Sequence, residues 1–162
     1  MADAIVGGWT LSGATTYYSG RPFTPNIGTY ASSALRPNAG PSGRPDLGKT
    51  DPFAGAKGGR DQFFVGGLGG AFLAPANNTF GNFARNSLFG PQFINQDLSI
   101  AKTFAVKEHY KFSVRGETFN TFNHSNLGDP NSDVTSPDAG KITGIAPSYQ
   151  MRRLQIGLRL DF

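Results

Sequence analysis

Arg153-Leu154-Gln155-Ile156-Gly157-Leu158-Arg159-Leu160-Asp161-Phe162 carries the decision about the fold. Every even position is Leu, Ile or Phe; every odd one is Arg, Gln, Gly or Asp. Side chains of a strand alternate between its two sides, so this run describes a strand with one apolar and one polar face. A helix would need apolar residues three and four apart.

Working outward, the same period recurs three times. Tyr110, Phe112, Val114 and Gly116 oppose Lys111, Ser113, Arg115 and Glu117. Ile94, Leu98, Ile100 and Phe104 oppose Asn95, Asp97, Ser99, Ala101 and Thr103, with Gln96 and Lys102 as flaws in the apolar set. Trp9, Leu11, Gly13, Thr15 and Tyr17 oppose Thr10, Ser12, Ala14, Thr16 and Tyr18, and Gly20 and Pro22 stop the run. The expectation is an all-β chain, an antiparallel up-and-down meander of four strands over 8–19, 92–105, 109–121 and 149–162. The connections alternate. Val106-Lys107-Glu108-His109 makes a hairpin, whereas 20–90 and 121–148 are long loops rich in Gly, Pro, Asn, Asp and Ser. Long stretches without structure are unusual inside a compact domain. Short turns at one end and long loops at the other match a transmembrane β-barrel.

Composition agrees. The 162 residues include 22 Gly and 11 Pro, which argues against a helical bundle, since both break helices. Charged residues are only 16%. The absence of Cys excludes a disulfide scaffold, a thiolate zinc site and an iron–sulfur cluster. The net charge of +4 is spread over scattered Lys and Arg, so nucleic acid is not expected as a partner. No run approaches the roughly 18–20 apolar residues of a membrane-spanning helix. The first residues, MADAIVGGWTLSG, lack the basic and apolar regions of a signal peptide. Read alone, that says cytosolic, or that the chain begins inside a longer protein.

A strand needs about 9–11 tilted residues to cross a bilayer, and the four runs have that reach. Leu154, Ile156, Leu158, Leu160, Phe162, Phe112, Val114, Leu98 and Ile100 are expected to face lipid. Arg115, Glu117, Arg153, Arg159 and Asp97 are expected to face a lumen. Trp9, Phe104 and Tyr110 at the short-turn end, and Tyr17 with Tyr18 at the long-loop end, suit the aromatic girdles of a barrel. With long loops outside, the strands run up, down, up and down, and Phe162 lies at the periplasmic rim.

Three segments carry a resemblance: FGNFARNSLFGPQFINQDLSIAKTFAV (Phe80–Val106), HYKFSVRGETFNTFNHSNLGDP (His109–Pro130) and MRRLQIGLRLDF (Met151–Phe162). GGWTLSGATTYYSGRPFTP (Gly7–Pro25) adds to them. Together they resemble the C-terminal end of TonB-dependent outer-membrane receptors, most closely the Oar-like, acidobacterial type. That resemblance implies a plugged barrel of about 22 strands, outer-membrane localisation and no enzymatic activity. It also implies lipid, the rest of the barrel and its plug as partners. TonB would act indirectly, and the barrel-assembly machinery would recognise Phe162. The chain departs from the family in having four strands and neither plug nor TonB box. Four strands cannot close a barrel, and open edges do not survive in lipid. The expectation is therefore a C-terminal fragment, residues 1–162, not competent for transport alone. Two other readings remain open: a soluble secreted glycan-binding β-module using Tyr17 and Tyr18, and one subunit of an oligomeric barrel.

Other motifs are weaker. Gly43 to Thr50 matches G-x-x-x-x-G-K-[ST], but no strand precedes it and Asp51-Pro52 would break the required helix. Asp129-Pro130-Asn131-Ser132-Asp133 opens like a calcium loop but lacks the following Gly and the closing Glu, so Asx turns are the simpler reading. Gly66 to Gly70 reads as flexible loop, and His124 as a turn residue. No metal or other cofactor is expected.

Overall fold

In the computed structural model the described residues are 7–28, 43–76, 79–105, 110–147 and 149–162. Eight strands appear among them: β1 Trp9–Tyr18, β2 Pro22–Phe23, β3 Asp46–Leu47, β4 Phe72–Leu73, β5 Leu88–Phe89, β6 Phe93–Ala105, β7 Lys111–Phe119 and β8 Arg153–Asp161. The described residues contain no helix. The chain divides into two compact units, one of them formed by Met1–Tyr18, Phe93–Ser125 and Ser148–Phe162.

That unit is a four-stranded antiparallel sheet in the order β1-β6-β7-β8. It is the expected meander, with strand ends within a few residues of the expected bounds. The expected hairpin turn, including His109, lies outside the described residues, but the pairing of Ala105 with Lys111 brings β6 and β7 up to it. β7 stops at Asn120, whose φ of 50° takes it out of the extended region. Among the described residues, the outer edges of β1 and β8 are unpaired.

The register puts like with like. Leu11 pairs with Ile100, and Ile100 with Gly116, which pairs with Ile156. Phe104 pairs with Phe112, and Phe112 with Leu160. Paired residues share a face, so the apolar sets of all four strands merge into one surface. Close packing on it falls at Gly13, where an added Cβ would come within 2.7 Å of the Leu98 side chain.

The second unit, Ser19–Gln92 with Asn126–Pro147, corrects the expectation of long stretches without structure of their own. The pairs β2–β5 and β3–β4 are short ribbons within it. Ile27, Phe64, Ala71, Phe72, Phe83, Leu88 and Val134 form its buried cluster. Phe64 and Phe72 meet edge to face at 5.9 Å, and Phe72 and Phe83 lie tilted at 5.3 Å, separations typical of favourable ring pairs. Backbone hydrogen bonds join its two sequence segments: Asn26 N–H donates to Ser132 O, Val134 N–H to Asn26 O, and Phe63 N–H to Gly140 O. Gly140, with φ of +76°, backs onto the Phe64 carbonyl, where any Cβ would collide. The stretch Gly66–Gly70, expected as flexible, is fixed through Gly67 N–H to Val134 O and Gly69 N–H to Phe72 O.

Candidate functional site

The sheet presents two surfaces of opposite character. On the apolar one stand Leu11, Leu98, Ile100, Phe104, Phe112, Val114 and the even positions Leu154 to Leu160. Leu154, Ile156, Leu158 and Leu160 are 58–78% exposed. Among the described residues, no second layer of their own unit covers them. An uncovered apolar surface of this extent is foreign to a protein's water-facing side.

Lys102, the flaw in that pattern, belongs to the same surface through its pairing with Trp9 and Val114. It is only 4% exposed. Its Nζ lies 4.9 Å from the Trp9 ring centroid and 5.0 Å from that of Phe104. The two rings give the ammonium an aromatic cradle by cation–π attraction. Phe104 in turn stacks on Phe112 at 6.3 Å. Two of the residues expected in the girdle, Trp9 and Phe104, thus meet around one cation. Tyr110, just before β7, is 48% exposed. Tyr17 pairs with Ile94 on the apolar surface at the opposite end. Tyr18 does not join it: alternation sends it to the polar surface, where it stacks on Phe93 at 4.7 Å and 4°.

The polar surface is charge-paired along its strands. Arg115 and Glu117 bridge at 2.7 Å, and Arg159 and Asp161 at 2.8 Å. Both are (i, i+2) pairs, as two charges on one face of a strand must be. Arg153 lies with its guanidinium 4.7 Å from the Phe119 ring centre.

Near the Tyr18–Phe93 end this surface holds a cavity of about 500 Å³. Thr16, Tyr18, Phe93, Asn95, Asp97, Phe119, Asn120, Gln150 and Arg153 line it. Asn120 builds one wall. Its side chain accepts from His124 N–H at 2.9 Å and donates to His124 O and Gln150 O at 3.2 and 3.0 Å. Its own N–H donates to Asp97 at 2.9 Å, and Asn95 Nδ2 donates to the same oxygen at 3.0 Å. The Phe119-to-His124 segment is therefore a knot that ties β6, β7 and the approach to β8. Alternation assigns this segment no role. Its signal in the sequence is the pair Asn120 and Asn123, which the structure holds at positive φ, a conformation Asn tolerates better than most residues.

In the second unit the calcium-like segment is spent on its own turns. Asn131 Oδ1 accepts Asp133 N–H, and Asp133 Oδ1 accepts the Gly28 and Thr135 N–H groups and the Thr135 hydroxyl. Partial burial pushes the Asp133 carboxyl upward, but those hydrogen bonds and one from the Ser136 backbone outweigh it and hold it below the ordinary range. The nucleotide-loop look-alike contains β3, paired with β4, and no helix follows it. Among the described residues no group of three or more His, Asp or Glu is placed to hold a metal.

An antiparallel meander with one continuous apolar surface, one polar surface and aromatic residues at its ends is the wall of an outer-membrane β-barrel. The chain belongs to the outer membrane beta barrel domain family, whose model matches residues 1–155. A search of curated proteins and a search of solved structures each found no match. Membership places the protein in the outer membrane and points to a structural or transport role.

Proposed function

We propose that the chain is a wall segment of a TonB-dependent receptor of the Oar-like type, contributing lipid-facing strands and ligand-exposed loops. The apolar surface meets hydrocarbon. The polar surface, with Arg115, Glu117, Arg153, Arg159 and Asp97, lines the lumen opposite a plug. The connections 20–90 and 121–148 are the extracellular side, and Phe162 is presented to the barrel-assembly machinery. The observation that carries this reading is the alignment of four apolar strand faces into one exposed surface. The unpaired edges of β1 and β8 support further strands on both sides. A soluble module would have to leave that surface in water, which disfavours it.

The lack of native Cys makes single nitroxide labels clean. With the chain in detergent micelles, labels at Leu154, Ile156 and Leu158 are expected to collide with oxygen and avoid a water-soluble nickel chelate. Labels at Arg153, Gln155 and Gly157 are expected to do the reverse. Equal access of the chelate to both sets overturns the reading. A closed ring of fixed number by light scattering replaces it with the oligomeric barrel.

A further inference from the structure

Two of the three strand pairings in the sheet have no short turn to align them. Residues 106–110 join β6 to β7, and a short connection fixes register. Residues 19–92 join β1 to β6, and residues 120–152 join β7 to β8. Alternation does not supply the missing constraint. A slip of one residue would throw apolar side chains onto the polar surface, but a slip of two leaves every side chain on its own surface. Val114, opposite Leu158, would then meet Ile156 or Leu160. Leu11, opposite Ile100, would in one direction meet Leu98. Closing connections of this length also costs entropy, and pairing across them is slow.

The loop unit restores the constraint inside itself. Counting outward from the Tyr18–Phe93 pair, one residue on each arm at a time, Arg21 falls opposite Gly90, Pro22 opposite Phe89 and Phe23 opposite Leu88. That is the pairing found: Gly90 N–H donates to Arg21 O at 2.9 Å, and β2 pairs with β5 in this register. Counting outward from Phe119–Arg153 sets Asn126 opposite Ala146, Leu127 opposite Ile145 and Gly128 opposite Gly144. Again that is what is found. Ala146 N–H donates to Asn126 O at 3.0 Å, Leu127 bridges Ile145, and Gly128 N–H donates to Gly144 O at 3.1 Å. Each long connection therefore has arms of equal length up to a hydrogen-bonded neck, as a short hairpin does.

The necks are tied to particular side chains. Leu88 belongs to the buried cluster, and Phe23 packs against it with its ring 5.7 Å from that of Phe64. Ile142 and Ala146, on the returning arm of the second loop, are buried as well. The necks are also tight. An added Cβ at Gly20 would run into the Gly90 carbonyl, and one at Gly128 would lie 3.1 Å from Ile145 O. A slip of two residues in either neck would move these side chains out of their buried places.

We propose that the loop unit is the register clamp of the sheet. Its core fixes the two necks, and the necks, through the chain alone, admit one alignment of β1 with β6 and of β7 with β8. Register in a barrel is linked to strand tilt and diameter, so the clamp sets the shape of this part of a wall. This goes beyond the receptor reading, which gives the same loops a ligand-facing role.

The test uses the full chain in detergent micelles with two nitroxide pairs on the polar surface, read by pulsed electron–electron double resonance. One pair is Thr16→Cys with Ala101→Cys, across β1 and β6. The other is Lys111→Cys with Gln155→Cys, across β7 and β8. In the register found, each pair is about 20 Å apart along the strands, and a slip of two residues changes that by about 7 Å. The parent is expected to give a single narrow distance for each pair. Gly20→Ala should add a population displaced by about 7 Å to the first pair and leave the second unchanged, and Gly128→Pro should do the reverse. Phe72→Ala, which loosens the core behind both necks, should displace both pairs and serves if a neck variant misfolds. Parent distances kept in all three variants, displacement of both pairs by either neck variant, or loss of the sheet in place of a slip overturns the proposal. The wall reading rests on label accessibility in the parent chain, so failure here leaves it standing.

Discussion

At Asp133 a single carboxylate organises the meeting of two distant segments. It gathers the N–H of Gly28 and the N–H and hydroxyl of Thr135. These bonds favour its ionised form, which is why its pKa lies below the ordinary value. A depressed folded-state pKa contributes stability that is fully present above the unfolded value, about 3.9, and is lost as pH falls through the folded value. The expected outcome is that the amides of Gly28 and Thr135 lose hydrogen-exchange protection below about pH 4. Asp133→Asn should show reduced protection at neutral pH and a flat profile through the acid range. An Asp133→Asn protein as acid-sensitive at these amides as the parent removes Asp133 as the cause. Lys102 illustrates the same economy of position. A charge on an apolar surface is costly, and the rings of Trp9 and Phe104 make the position tolerable.

At the scale of the element, β8 is the sharpest case. Its residues alternate without exception, and pairing with β7 puts Ile156 beside Gly116 and Gln155 beside Glu117. Adjacent positions should therefore respond oppositely to one charge. Ile156→Arg is expected to destabilise the chain by about 2–4 kcal/mol in a lipid environment, the cost of a cation on the hydrocarbon side of a barrel. Gln155→Arg, which faces Glu117, should change stability by less than about 0.5 kcal/mol. Urea titration of the lipid-bound chain, read by the fluorescence of Trp9, measures both. Similar losses at the two positions would falsify the assignment of faces. The apolar and polar faces of the strands were readable from sequence because a pleat converts period two directly into sidedness. Gln96 and Lys102 blurred β6 because the sequence of one strand does not show which neighbour will shelter its exceptions. Tyr18 was grouped with Tyr17 by position along the strand, although alternation puts them on opposite surfaces.

At the scale of the molecule, the chain holds two units of different physics. The sheet exposes its apolar side, whereas the loop unit buries its own. Phe72 is fully buried there, against Phe64 and Phe83. Phe72→Ala is expected to cost about 3–5 kcal/mol, as removal of a buried ring does. Proteolysis should then cut within 43–76 and 126–147 while β1, β6, β7 and β8 stay protected. Simultaneous loss of protection in the sheet would show that the units unfold as one.

The amino-acid sequence by itself determined the strands, their two faces, the antiparallel meander and the outer-membrane class. Each of these follows from a local alternation that any strand obeys wherever it stands. Only the tertiary structure decided that the glycine- and proline-rich connections share a core, because Ile27, Phe64, Phe72 and Val134 follow no period and meet across long separations. Asn26 and Ser132, 106 residues apart, hydrogen-bond at 2.7 Å. The tertiary structure likewise decided that Asn120 would wall a cavity and that Lys102 would lie between two rings. Contacts of that kind depend on register and on chain return, and neither is written in the neighbours of a residue.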